Sequence, residues 1–131
     1  MTASTHAEVA ALVGTWTATS AIGGVPAPYS TTFVFRSDHT LEAVGPEGPD
    51  GKPQFGGPGH WIARPDGTFV YHVTHPLPDP DGGPAGTIHS IQQVTVSGDT
   101  HASSGTAVLH RADGSVAGSF DVTLSATLIL P

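Results

Sequence analysis

Residues 111–128 read Arg111-Ala112-Asp113-Gly114-Ser115-Val116-Ala117-Gly118-Ser119-Phe120-Asp121-Val122-Thr123-Leu124-Ser125-Ala126-Thr127-Leu128. From Phe120 onward the run alternates. Phe120, Val122, Leu124, Ala126 and Leu128 fall on one face and polar residues on the other, the period-two pattern of a half-buried strand. The five residues that open it, Arg111 to Ser115, have the chemistry of a three-residue hairpin loop: a type I turn, then a left-handed residue best filled by Gly. The same device stands at Arg36-Ser37-Asp38-His39-Thr40 and at Arg64-Pro65-Asp66-Gly67-Thr68. His39 is tolerable in the left-handed position, which His enters more readily than branched residues do.

Working outward, the chain divides into strands at Thr15–Ala21, Ser30–Arg36, Thr40–Val44, Gly59–Arg64, Thr68–His75, Gly86–Ser97, Thr100–Arg111 and Ser115–Leu130. All are rich in Thr, Val, Ile and aromatic residues, which suit a pleated surface. A short helix precedes them. Ser4 or Thr5 can cap it, Val9, Leu12 and Val13 are spaced for it within Ala7–Val13, and Gly14 ends it. Consecutive hairpins make a meander, and eight strands close most naturally into an antiparallel up-and-down β-barrel, which leaves no edge. The fold expected is therefore all-β, one domain over residues 1–131. The links at 22–29, 45–58 and 76–85 are long and lie at one end; the alternate links are tight turns. The long-loop end is the expected mouth, and the helix plugs the other.

Composition agrees and narrows the function. The chain has 131 residues, 17 Gly, 12 Pro and no Cys, so disulfides, zinc–thiolate sites and cysteine nucleophiles are excluded. Four basic residues against eleven acidic ones give a net charge of −7, which supplies no phosphate-binding or anionic-membrane surface. No partner of either kind is expected. No apolar run approaches the length of a membrane span, and the N-terminus lacks the basic and apolar regions of a signal peptide, so the expected location is cytoplasmic. A homodimer stays open.

Gly14-Thr15-Trp16, opening the first strand after a helix, resembles the lipocalin and wider calycin group. There a Gly-x-Trp opens the first strand and the Trp packs across the closed base. The resemblance implies that role for Trp16, and a ligand in the lumen. Barrels similar to this one are either carriers of apolar small molecules or cofactor-free cyclases and isomerases of natural-product pathways.

The groups able to move protons are chiefly histidines, eight of them. His60, His75, His89 and His110 fall near the mouth, and His39 and His101 near the base. The hairpin at Arg64–Thr68 pairs Trp61 with Tyr71 and Ala63 with Phe69, a lumen face that continues to His75, with His60 and His72 paired outside. The hairpin at Arg111–Ser115 pairs Val116 with His110, Phe120 with Thr106 and Val122 with Ser104. The lumen face then continues through His89, Ile91, Gln93 and Thr95. A slip of one residue inverts every side chain and turns Ile88, Ser90, Gln92, Val94, His101 and Ser103 inward instead.

On the first register the lumen has an aromatic wall (Trp61, Phe33, Phe35, Phe69, Phe120) and a polar band (Gln93, Ser104, Thr106). His75, His89 and Tyr71 are its acid–base candidates. An apolar pocket with few polar groups suits a small hydrophobic molecule. The function expected is a cofactor-free cyclase or isomerase acting on a polyketide-like substrate, with a carrier or sensor without chemistry as the alternative. A haem or metal barrel is a weaker third reading. No His-x-His or His-x-x-x-His spacing sets two ligands on one face of an element, so neither a metal nor a cofactor is expected.

Overall fold

A computed structural model describes residues 11–45, 51, 56–78 and 84–130. The helix expected at Ala7–Val13 lies mostly outside the described residues; Ala11 and Leu12 are helical. Eight strands follow: β1 (Gly14–Ile22), β2 (Val25–Phe35), β3 (Thr40–Val44), β4 (Gly56–Ala63), β5 (Phe69–Pro78), β6 (Pro84–Ser97), β7 (Thr100–Arg111) and β8 (Val116–Leu130). Each pairs with the next, and β8 pairs with β1, so the antiparallel meander closes into a barrel. Among the described residues no helix is long and apolar enough to cross a membrane.

The repeated turn is built the same way three times. Asp38 Oδ1 accepts from the Thr40 amide and hydroxyl at 3.1 and 2.6 Å. Asp66 does so with Thr68, and Asp113 with Ser115. These donors stabilise the ionised carboxylates and hold all three below the ordinary Asp range. His39, Gly67 and Gly114 take the left-handed position at φ 70°, 89° and 89°. The link expected to be long at 22–29 is instead a tight turn. Gly23 and Gly24 both have positive φ (58° and 83°), as a primed two-residue hairpin requires, and β2 starts at Val25.

The register expected from the turns holds in the β2–β3 and β4–β5 hairpins. Phe33 faces Ala43, Phe35 faces Leu41, Trp61 faces Tyr71 and Ala63 faces Phe69. It inverts in β6 and β7. His110 does pair with Val116, as the turn dictates, but the next pair is Leu109 with Gly118. Ala117 is the extra residue of a β-bulge. Beyond it Phe120 meets Ala107 instead of Thr106, and Val122 meets Gly105 instead of Ser104. The slip passes to β6 through a regular ladder, with Ser97 opposite Thr100. Gln92, Val94, His101, Ser103 and Ala107 are therefore buried, whereas His89, Ile91, Gln93, Thr95, Ser104 and Thr106 are exposed on the outer wall.

The core occupies the base of the barrel. Trp16, Phe35, Leu41, Trp61, Phe69 and Val94 are almost completely enclosed there, with Leu12 beneath. Both indoles are anchored: Trp16 Nε1 donates to the Leu12 carbonyl and Trp61 Nε1 to the Arg36 carbonyl, each at 2.9 Å. The His39 ring covers Trp61 at 4.5 Å.

Candidate functional site

Above this core the lumen opens into a cavity of about 280 Å³. Its walls are Phe33, Ala43, Val73, Ile88, Ala107, Phe120, Val122 and Leu124, with Ile22 at the rim. Polar groups reach it from Ser20, Thr31, Tyr71, His75 and Ser90, and no charged side chain lines it among the described residues. The alternation of β8 explains one wall, since Phe120, Val122 and Leu124 are successive inward positions. On β7 the inward positions are Ala107 and Gly105, too small to fill the space above the aromatic core. The cavity exists because large residues concentrate below and small ones above.

Of the candidate residues, Phe33, Tyr71, His75 and Phe120 line this cavity. Trp61, Phe35 and Phe69 lie beneath it, within the core. His89, Gln93, Ser104 and Thr106 are on the outer wall, displaced by the bulge at Ala117. His75 and His89 are thus on opposite sides of the barrel wall.

The floor is polar. Gln92, wholly buried, donates through Nε2 to Ser90 Oγ at 3.4 Å and to the Val122 carbonyl at 3.3 Å. Its Oε1 and both ring nitrogens of His101 have no hydrogen-bond partner among the described residues. Burial raises the Tyr71 phenol well above its ordinary range and keeps it protonated; a side-chain hydrogen bond with Ser103 acts in the opposite sense. Burial alone pushes His101 down to about 4, so it is neutral at physiological pH. Gln92, Ser103, Ser90 and His101 are residues that a one-residue slip turns inward. Both faces of β6 and β7 mix polar and apolar residues, so neither was marked as inner.

The closed antiparallel barrel is consistent with the lipocalin-like architecture that Gly14-Thr15-Trp16 suggested, and Trp16 is buried at its base. No protein-family model, curated protein or solved structure matches this chain, so the barrel and its cavity carry the functional argument.

Proposed function

We propose that this chain is a lipocalin-like barrel that binds a small, neutral, mainly apolar molecule in its lumen, as a cytoplasmic carrier or sensor. The cavity carries this reading: it is apolar, bears a few hydroxyls and one imidazole, and among the described residues is lined by no Asp, Glu, Lys or Arg. At the packing density of protein interiors, 280 Å³ holds roughly 200 Å³ of ligand, the size of about three fused six-membered rings. Binding is favoured over catalysis because the acid–base set is depleted. His89 faces outward, and the Tyr71 phenol is kept protonated far from the pKa a general base needs near neutrality. A cofactor-free cyclase or isomerase acting on a natural product stays as the second reading on one observation, the His75 imidazole on the cavity wall.

Filling the cavity tests the proposal. Ala107 is inward and 3% exposed. Ala107→Phe places a ring in the lumen and should weaken uptake of 2-naphthol, followed by its fluorescence, by about tenfold or more (~1.4 kcal/mol). The far-UV circular dichroism should keep its β signature. Ala43→Leu, on the opposite wall, should act in the same direction if the first variant is overpacked and unfolds. Uptake undiminished in both folded variants would show that the probe binds elsewhere and would overturn the lumen as the site.

A further inference from the structure

The outer wall of β4 to β7 carries four histidines that the lumen does not use. Cross-strand pairing brings together what spacing within single strands did not. His60 and His72 are direct partners across β4 and β5, with ring centres 5.5 Å apart. His89 on β6 and His110 on β7 have ring centres 4.8 Å apart and planes at 87°. His89 Nδ1 lies 3.0 Å from the Thr74 hydroxyl on β5. His110 Nδ1 is enclosed and has no hydrogen-bond partner among the described residues. Both rings border a surface recess of about 390 Å³.

The geometry points to the His89–His110 pair as a binding site for a divalent transition-metal ion that prefers imidazole, Cu²⁺ above others. A metal held at an ordinary metal–nitrogen distance of about 2.0–2.1 Å lies about 3.2 Å from the centre of the ring. Two such rings meeting at a right angle have centres about 4.5 Å apart, and at the tetrahedral angle about 5.2 Å. The observed 4.8 Å falls between these values. Thr74 supplies the outer-shell contact that metal-binding histidines characteristically have. With Nδ1 of His89 engaged by the hydroxyl, Nε2 is the ligand atom and the ring plane is fixed. His110 Nδ1 is enclosed, which leaves Nε2 as that ring's candidate ligand atom.

Among the described residues no group of three or more His, Asp or Glu is placed to hold a metal. The site therefore offers two imidazoles, with water completing the shell. That arrangement suits tetragonal Cu²⁺, which also heads the divalent affinity order, better than Zn²⁺, which is ordinarily held by three or four protein ligands. The chain's net charge of −7 favours cations in general. The one charged side chain on the recess, Arg111, is directed at Ser115 Oγ and the Val116 carbonyl, at 3.3 and 3.0 Å. The His60–His72 rings are closer to parallel, at 32°, a stacked arrangement that is less suited to sharing an ion.

Cu²⁺ titrated into the full chain near pH 7.5, followed by calorimetry and electron paramagnetic resonance, tests this. One equivalent should bind with micromolar affinity and show hyperfine coupling to two imidazole nitrogens. His89→Ala and His110→Ala should each weaken it by at least about tenfold, and Thr74→Val by about tenfold, the usual effect of losing an outer-shell partner. The double variant His60→Ala/His72→Ala should leave that equivalent unchanged. The proposal is overturned if the first equivalent survives in folded His89→Ala and His110→Ala proteins. Loss with the His60/His72 pair instead, or wild-type binding weaker than ~1 mM, would overturn it equally.

Discussion

Trp16→Ala should cost about 3–5 kcal/mol, the range for deleting a large buried aromatic. The ring is fully enclosed, and its β1 position is opposite Phe33 on β2 and Leu128 on β8, across the seam that closes the barrel. It also packs on His101 at 4.6 Å. Truncation leaves a cavity there and orphans the Leu12 carbonyl, which accepts the indole N–H at 2.9 Å. In urea the unfolding midpoint should fall by about 2 M, given a slope of about 2 kcal/mol/M for a domain of this size. Trp16→Phe separates the two losses. It keeps most of the apolar area but not the hydrogen bond, and should cost only about 1–3 kcal/mol. An alanine variant as stable as wild type would show that this residue does not hold the barrel base.

The same residue shows what could be read from sequence and what could not. Gly14-Thr15-Trp16 and the three Asp-based turns are local signals, each satisfied within five residues of chain, and they specify the barrel. The β2–β3 and β4–β5 hairpins follow because their inward and outward faces differ sharply: Trp61, Phe69 and Tyr71 against His60, Ile62 and His72. In β6 and β7 the contrast fails. Ser90, Gln92 and Ser103 on the inner face are no more apolar than His89, Gln93 and Ser104 on the outer. Register then depends on the turn and on anything that interrupts the ladder after it. The bulge at Ala117 adds one residue between Val116 and Gly118, and one residue is enough to exchange the two faces. Four of the six polar candidates, His89, Gln93, Ser104 and Thr106, lie outside for that reason. The same inversion places His89 beside His110 on the outer wall, where the pair becomes visible only across strands.

The inversion also buries His101, and this should appear as a pH dependence of stability. The ring is 4% exposed and lies between Trp16, at 4.6 Å, and Phe35, at 6.2 Å. Its nearest ladder partners are Val96 and Ala126, so no charge from either neighbouring strand faces it at that level. Its pKa falls from 6.5 to about 4 on burial. The unfolded chain therefore takes up a proton near pH 6.5, whereas the folded chain resists until about pH 4. Between those values the unfolded state binds more protons, and stability declines as the pH drops. Two to three pKa units correspond to roughly 3 kcal/mol over that window, a large share of the ~5–15 kcal/mol typical of a domain. The three turn carboxylates act in the same direction but lower, below the ordinary Asp value of 3.8. They stabilise the fold when ionised and lose that contribution only as they are protonated in more acidic solution. His101→Leu isolates the histidine. It removes two buried nitrogens that have no hydrogen-bond partner among the described residues, so it should be at least as stable as wild type near pH 7. Its stability between pH 6.5 and 4.5 should decline less steeply. Urea unfolding of both proteins at half-unit intervals of pH reads this directly. Parallel curves across the window would mean that His101 is protonated as easily inside the barrel as outside it, and that water or a conformational opening reaches the base beneath the cavity floor.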